Sequence, residues 1–357
     1  MGRVVVALGG NALNRAGEAG TYEGTRAHVR ETVRPLLSLL QAGHQLVLTH
    51  GNGPQVGALL LQQDATRREV PPLPLDVLGA MSQGWIGYLI QQELASGIRA
   101  LRLPHRVIVL LTRTEVSADD PSFHHPSKPV GHFYPENEAR LLGKQKGWTF
   151  VDDTARGGWR RVVASPLPRN VLEAPWLKAL LAARAVPPFV AILAGGGGVP
   201  VVRADKGQWA GVEAVIDKDR TAALLAHLLK AETLAIVTDV PAVLVGFRTP
   251  HPRPLGNVGP RELRHHLENG EFGEGSMRPK VEAALDFISR GGARAVITDI
   301  LSLPEALKGR AGTILTPGGG RGGLSSARPV NPAPDARRRA RTRPRSPGTA
   351  GSSGRLR

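Results

Sequence analysis

Lys218 lies where the chain could present a positive charge to an anionic substrate. It stands between Asp217 and Asp219, after the mostly apolar residues 212–216 and before a helical pattern. A strand over 212–216 would deliver the lysine to a pocket at the end of a sheet. A structural alternative stays open, in which Asp219 caps the helix and Lys218 faces solvent.

Lys280 is the second lysine in an unusual setting. It begins a helical pattern just after a glycine-rich loop. A cation at the start of a helix opposes the helix dipole unless an anion lies nearby. Phosphoryl transfer needs positioning and neutralisation of charge more than covalent help, so lysines on glycine-rich loops with Mg²⁺ could carry it.

Glycine-rich turns follow or neighbour several short apolar runs. Glycine lets the backbone approach a ligand and turn its N–H groups inward, and a helix that begins just afterwards adds the positive end of its dipole. One such turn is most often plain turn chemistry, but several in one chain favour anion binding. The turns are Gly9-Gly10-Asn11, His50-Gly51-Asn52-Gly53-Pro54, Gly195–Gly198 and Gly273-Glu274-Gly275-Ser276.

The common signatures of nucleotide-binding loops and hydrolases are absent. Gly143-Lys144 lacks the earlier glycine of a P-loop, and the turn at Gly51 is one residue too long for a dinucleotide fingerprint. Ser82 has no glycine two residues before it, which excludes a nucleophile elbow. The chain has no cysteine, which excludes thiolate sites, and it has no zinc-protease histidine motif.

The elements that must position these residues alternate between strand and helix. Short apolar runs rich in β-branched residues alternate with stretches of helical periodicity, which is typical of an α/β protein with a parallel sheet. Several helices should end at a glycine, namely Gly43, Gly97, Gly270 and Gly291. The predicted strands are 3–8, 45–49, 106–111, 189–194, 234–238 and 293–298; the predicted helices are 27–41, 55–68, 75–96, 173–183, 219–230, 260–269 and 280–290.

Residues 115–168 depart from this alternation. They carry several prolines and glycines among short strand-like pieces at 148–151 and 159–164. We interpret them as a small subdomain inserted between a strand and the next helix, where it would stand over the site. The alternative is a surface excursion without a role.

The positive charge is concentrated at the C-terminus. Residues 318–357 hold ten arginines and one acid, Asp335, a net charge of +9 that leaves +7 of the chain's +16 to residues 1–317. That mild excess suits small anionic substrates. The last 40 residues are too poor in apolar side chains to build a core, so we predict a disordered tail there. No apolar run reaches the roughly 18 residues of a membrane span, and we expect a cytoplasmic protein.

Several motifs occur in the order seen in carbamate kinases, a branch of the amino acid kinase superfamily, which the chain resembles over about residues 3–316. The motifs are Val6-Ala7-Leu8-Gly9-Gly10-Asn11-Ala12-Leu13, His50-Gly51-Asn52-Gly53-Pro54-Gln55-Val56-Gly57, Ala80-Met81-Ser82-Gln83-Gly84, Lys128-Pro129-Val130-Gly131, Gly211–Asp219 and Gly275–Val281.

The resemblance implies a fold and an activity. The fold is a three-layer αβα sandwich around a mostly parallel open sheet, with a small protruding subdomain, and it works as a homodimer. The activity is reversible, Mg²⁺-dependent phosphoryl transfer between ATP and carbamate in arginine catabolism, in which carbamoyl phosphate and ADP give ATP.

The resemblance also implies roles for individual residues. Lys128, Lys218, Asp219 and Lys280 would be catalytic, with Asp219 holding the two later lysines. Gly9, Gly10, Asn11, Gly51, Asn52 and Gly53 would bind the transferred phosphate and the carbamoyl end. The nucleotide would lie against Asp217, Thr238, Asp239, Val240, Gly275, Ser276 and Met277. No side chain would hold a metal, since Mg²⁺ would be bound mainly through the nucleotide phosphates.

Other functions stay open. The chain could act on another small acceptor, such as an acyl amino acid or a phosphonate, or it could be a non-catalytic regulator. The tail at 318–357 departs from the carbamate kinase pattern; it could be a nucleic-acid-binding arm, the product of a shifted reading frame, or a plain solvated extension.

Overall fold

The structure is a computed structural model that describes residues 2–10, 13, 21–154, 157–183, 186–247, 249, 251–273 and 277–319. The strands are β1 (Arg3–Leu8), β2 (Gln45–His50), β3 (Arg106–Leu110), β4 (Arg113–Glu115), β5 (Lys128–Tyr134), β6 (Thr149–Asp153), β7 (Gly158–Val163), β8 (Asn170–Val171), β9 (Phe189–Leu193), β10 (Val199–Arg203), β11 (Trp209–Gly211), β12 (Thr233–Thr238), β13 (Leu244–Val245), β14 (Arg253–Pro254), β15 (Asn257–Val258), β16 (Arg294–Asp299) and β17 (Thr313–Leu315). The helices are α1 (Tyr22–Gln41), α2 (Gly53–Thr66), α3 (Leu75–Ala100), α4 (Glu136–Lys146), α5 (Ala174–Ala182), α6 (Lys218–Leu228), α7 (Pro260–Glu268), α8 (Met277–Ser289) and α9 (Leu303–Leu307).

The central sheet has eight strands in the order β15-β17-β16-β12-β1-β2-β9-β3. Only the β16–β17 pair is antiparallel, so the mostly parallel sheet predicted from the sequence is confirmed. Every predicted strand of the α/β pattern is present in it. Because most of these strands run in one direction, the turns that follow them meet at one edge of the sheet.

Two apolar layers cover the sheet, one on each face. Successive side chains of a strand point to opposite faces, and β1 divides accordingly: Val4 and Val6 belong to the layer with α1, α3 and α9, whereas Val5 and Ala7 belong to the layer with α6 and α8. All four side chains are buried. This arrangement is the predicted three-layer αβα sandwich.

A separate three-stranded sheet, β5-β7-β6, lies within the segment 115–168. Helix α4 packs against β6 and β7. The strand-like pieces predicted at 148–151 and 159–164 are β6 and β7, whereas β5 and α4 had no prediction. Helix α2 packs closely on β5, since a Cβ added to Gly57 would lie 3.1 Å from the Cα of Gly131.

Two sequence-based expectations are wrong. Residues 212–216 form no strand and make only an isolated parallel bridge, between Ala164 and Ala214. Gly97 does not end α3, which continues to Ala100. The reason is packing: a Cβ on Gly97 would overlap the side chain of Leu37, so the glycine lets α1 approach α3. Gly43, Gly270 and Gly291 do follow helices with positive φ, as expected for helix ends.

Candidate active site

A cleft of about 230 Å³ lies where the turns after β1, β2 and β9 meet the starts of α6 and α8. Most of the residues predicted to bind the phosphate or to act in catalysis line it together. The lining includes Gly10, Gly51, Asn52, Gly53, Lys128, Gly196, Asp217, Lys218, Asp219 and Lys280. Gly9 packs just behind, where a Cβ would lie 2.8 Å from the carbonyl oxygen of Val237.

One carboxylate holds two of the lysines. Asp219 is 2% exposed; its Oδ1 accepts a hydrogen bond from Lys218 Nζ, and its Oδ2 accepts one from Lys280 Nζ at 2.9 Å. Both lysine side chains are largely buried, at 11% and 15% exposed. The contact that the resemblance implied for Asp219 is therefore present.

The N-cap of α6 is not Asp219, the residue that the structural alternative for Lys218 required. Asp217 is the N-cap, and its Oδ1 accepts hydrogen bonds from the backbone N–H groups of Asp219 at 2.9 Å and Arg220 at 3.4 Å. Lys218 is not in solvent. The solvent-facing alternative for Lys218 is wrong, because the cap begins two residues earlier than it assumed.

The pKa values of the two lysines shift in opposite directions. Burial lowers the pKa of Lys218, and the attraction of Asp219 does not fully compensate for the burial and the nearby charge of Lys280. Burial also acts on Lys280, but the charge and hydrogen bond of Asp219 outweigh it and raise its pKa. Lys280 is therefore the more firmly charged of the two.

Lys128 reaches the cleft from the small β5-β7-β6 sheet. Its Nζ donates a hydrogen bond of 2.7 Å to Asp217 Oδ2, and about a third of the side chain is exposed. Burial of Asp217 would raise the pKa of its carboxyl group, but the charge and hydrogen bond of Lys128 lower it. The lysine from the subdomain and the cap of α6 thus form one ion pair.

The start of α2 lines the cleft. Asn52 is the N-cap residue, but its side chain makes no capping hydrogen bond. Instead its Nδ2 donates to Ser82 Oγ at 2.9 Å, and that hydroxyl donates to the carbonyl of Gly79 at 2.6 Å. The N–H groups at a helix start are suited to bind an anion.

Two residues of the site had no predicted role. Ser82 stood in a motif of the resemblance, and Gly196 stood in a glycine-rich turn, but neither was assigned to the site. Gly196 has a φ of +65°, and a Cβ there would overlap the side chain of Asn52. The glycine run was visible in the sequence; its pairing with Asn52 was not, because the two residues are far apart in the chain.

The residues predicted to bind the nucleotide lie partly elsewhere. Thr238 ends β12, and its hydroxyl donates to Asp239 Oδ1 at 3.0 Å. These two residues and Val240 follow a strand of the sheet at the same edge as the cleft but do not line it, whereas Met277 begins α8. Asn11, Gly275, Ser276 and the tail from residue 320 lie outside the described residues.

The model of the amino acid kinase family matches residues 2–299. The chain is 45% identical to the carbamate kinase of Pyrococcus horikoshii over 317 residues, which cover 88% of this chain and 99% of the relative. It belongs to the amino acid kinase family, in its carbamate kinase branch. The carbamate kinase of Staphylococcus haemolyticus is 42% identical over 318 residues, with 88% and 99% covered. The predicted family is confirmed, and the chain is a kinase.

Solved structures agree with this membership. A carbamate kinase from Giardia lamblia bound to AMP-PNP superposes with a TM-score of 0.81 and 39% identity, covering 88% of this chain and 98% of that chain.

The described part of the chain lacks two further features. It contains no group of three or more histidines, aspartates and glutamates placed to hold a metal ion, and no helix with the length and apolar character that crossing a bilayer requires.

Proposed function

We propose that this protein is a carbamate kinase, which transfers a phosphoryl group reversibly between ATP and carbamate. The observation that carries the proposal is the convergence of Lys218 and Lys280 on Asp219, in a cleft whose other wall is Gly10 and Gly51–Gly53. Two cations face the glycine-containing turns after β1 and β2 across a space suited to a phosphoryl group. The carbamate kinases among its relatives supply the acceptor.

The transfer proceeds by direct displacement. A carbamate oxygen forms a bond to the γ-phosphorus of ATP, while the bond from that phosphorus to the β,γ-bridging oxygen breaks and its electrons leave with ADP. The reverse reaction forms ATP from carbamoyl phosphate and ADP. No phosphorylated side chain is needed, so the protein contributes positioning and charge neutralisation.

Each lysine has a separate task in this proposal. Lys280, the more firmly charged lysine, neutralises the charge that develops on the leaving oxygen. Lys218 faces the transferred group. Lys128 comes from the subdomain and exchanges its contact with Asp217 for one with the acceptor when substrate binds.

Mg²⁺ belongs to the substrate in this proposal. It arrives as Mg·ATP or Mg·ADP, bound mainly through the nucleotide phosphates, and neutralises part of their charge. Asp217 and Asp219 are already engaged by lysines, which supports a site that receives the ion with the nucleotide.

We further propose that the enzyme is a cytoplasmic homodimer that makes ATP in arginine catabolism. One exposed stripe of α3 supports the dimer, since Met81 and Tyr88 are 43% and 51% exposed and Trp85 lies between them at helical spacing. Sedimentation of the purified chain measures this state.

The deciding experiment is ATP formation from carbamoyl phosphate and Mg·ADP. We expect activity in the unmodified chain and a loss of at least about 100-fold in kcat for Lys218→Ala and for Lys280→Ala. Lys308→Ala is the matched control, because Lys308 is exposed and pairs with Glu305 outside the cleft; its kcat should be unchanged.

Two results would contradict the proposal. An unmodified chain that folds and binds ADP but makes no ATP would point to another acceptor, to be sought among acyl amino acids and phosphonates. Near-normal turnover in the Lys218 and Lys280 variants would show that the reaction runs elsewhere. Circular dichroism of each variant establishes that it is folded.

A further inference from the structure

His50 is a buried imidazole behind the cleft. It ends β2 and is only 1% exposed. It does not itself line the cleft, but the next two residues, Gly51 and Asn52, do. Nothing in the reaction proposed above uses this side chain.

The ring makes a polar contact with its own neighbour. Nδ1 of His50 lies 2.9 Å from the carbonyl oxygen of Gly51. A carbonyl oxygen can only accept, so Nδ1 carries the proton and donates it. This hydrogen bond fixes the direction of the Gly51 carbonyl.

The other side of the ring lies against the glycine turn after β9. A Cβ on Gly195 would overlap His50 Cε1 and Nε2, just as one on Gly196 would overlap the amide of Asn52. Thr49, one residue earlier, donates from its hydroxyl to the carbonyl of Ala194 at 2.8 Å. The two turns therefore interlock residue by residue beyond the point where the β2–β9 ladder ends at Leu48 and Ile192.

The imidazole is neutral beside the lysines. Burial lowers the pKa of His50 to about 4; the hydrogen bond to Gly51 acts in the opposite direction without outweighing burial, and the charge of Lys218 lowers the pKa as well. A neutral ring can hold the turn without adding a third positive charge to the pair on Asp219. An arginine or lysine at this position could not.

The Gly51 carbonyl determines where the next N–H points. The peptide bond between Gly51 and Asn52 is trans, and the C=O and N–H of a trans peptide point in opposite directions. Because the carbonyl points toward the buried His50, the N–H of Asn52 points away from that ring, toward the side on which Gly51 and Asn52 line the cleft.

We propose that His50 is a positioning residue for phosphoryl transfer: its imidazole holds the Gly51 carbonyl behind the cleft and so aims the N–H of Asn52 at the phosphoryl group. This inference rests on the kinase reaction proposed above. In the sequence His50-Gly51-Asn52, the buried first residue thus orients the backbone N–H of the third.

The test compares two substitutions that differ in the donor. His50→Leu fills a similar space without a hydrogen bond, whereas His50→Asn can place its Nδ2 near the position of Nδ1. Loss of one transition-state donor lowers kcat by about 100-fold or more, so we expect a fall of that order in His50→Leu with the KM for Mg·ADP changed less than about threefold. His50→Asn should recover most of the kcat. His105→Leu, a partly buried histidine at the far end of β3, is the control.

A second readout does not need turnover. In nuclear magnetic resonance spectra, the backbone amide signal of Asn52 should shift on addition of inorganic phosphate to the unmodified chain and should shift much less in His50→Leu. If the unmodified chain makes no ATP, the kinase proposal fails and this signal alone decides the role of His50. An equal shift in both proteins, or an equal kcat in His50→Leu and His50→Asn, would overturn the inference.

Discussion

Asp219 shows how few negative charges the site supplies for its cations. Lys128 pairs with Asp217, and Lys218 and Lys280 share Asp219, so these five side chains carry one positive charge in excess; the charge of Asp239 also attracts Lys280. Burying an uncompensated charge is costly. A bound phosphoryl group supplies the missing negative charge, and the free energy of that compensation becomes available for binding it.

The neutral state of His50 leads to a prediction about stability and pH. Its pKa is about 4 in the folded chain, against an ordinary value of 6.5. The unfolded chain therefore binds a proton between these values that the folded chain does not, so His50 contributes stability above pH 6.5 that is lost as the pH falls toward 4. Between pH 7 and pH 5 this contribution should fall by about 2 kcal/mol.

Urea unfolding at the two pH values measures this effect. The free energy of unfolding of His50→Leu should fall less between pH 7 and pH 5 than that of the unmodified chain, by about the 2 kcal/mol given above. Equal pH dependence in both proteins would show that the imidazole is not held neutral. His251→Leu, a substitution at an exposed histidine, serves as the control.

Elements were predicted from sequence wherever a local pattern determined them. The run at β1 has five apolar residues in a row before Gly9, and burial on both faces of a parallel sheet requires such a run. Residues 212–216 are apolar except for Glu213, yet no strand forms there, because strand pairing depends on neighbours that lie far away in the chain. The opposite holds for β5, which forms although no strand was predicted there, because Lys128 and Pro129 obscure the strand pattern at its start.

The site could be predicted in part. Local motifs identified Lys218 and Lys280, whereas their shared contact with Asp219 was implied by the resemblance to carbamate kinases and not by any local pattern. The N-cap at Asp217 was misplaced because Asp217 and Asp219 are both plausible caps by type. The contact of His50 with Gly195 joins the end of β2 to the turn after β9, far apart in sequence, and no local pattern contains it.

The glycine turn after β9 gives a prediction at the scale of one element. Gly196 and Gly207 both have positive φ, +65° and +75°, but a Cβ on Gly196 would overlap Asn52 whereas one on Gly207 would meet nothing within 4 Å. Gly207→Ala should lower the free energy of unfolding only by the cost of holding a residue with a Cβ at positive φ, about 1–2 kcal/mol. Gly196→Ala should cost more and should also lower kcat at least tenfold, because Asn52 must move away from Ser82.

Urea unfolding and the ATP-forming assay separate the two effects of these substitutions. The comparison isolates packing from backbone strain, since both variants carry the strain. If Gly196→Ala lost no more kcat than Gly207→Ala, the interlock between the turns after β2 and β9 would have no part in catalysis.

At the scale of the whole molecule, the sheet order explains how distant residues meet. Strands β1, β2, β9 and β12 lie side by side, and all run in the same direction. Their following turns therefore share one edge, where the lysines at 128, 218 and 280 converge. The described chain leaves from the opposite edge, since Leu315 of the antiparallel β17 pairs with Ala295 near the start of β16.

Because the described chain leaves the sheet at the edge opposite the cleft, we predict that the tail is dispensable for catalysis. The relatives cover 88% of this chain, which leaves a remainder about as long as residues 318–357. A chain ending at Gly319 keeps every described contact of the cleft, so its kcat and KM for ATP formation should stay within about twofold of those of the full chain. A larger loss of kcat would give the tail a part in the reaction.

The same pair of proteins tests what the tail adds. Removing the tail takes away a net charge of about +9, all of it from arginine. Neutralising phosphates releases counterions, so binding that depends on these charges weakens steeply as salt increases. We expect the full chain to bind a 30-nucleotide single-stranded RNA in fluorescence anisotropy at low salt, and the shortened chain to bind it at least tenfold more weakly and with a shallower salt dependence. Equal affinities would contradict a nucleic-acid-binding arm, because the remaining charge of about +7 on residues 1–317 would then account for all the attraction.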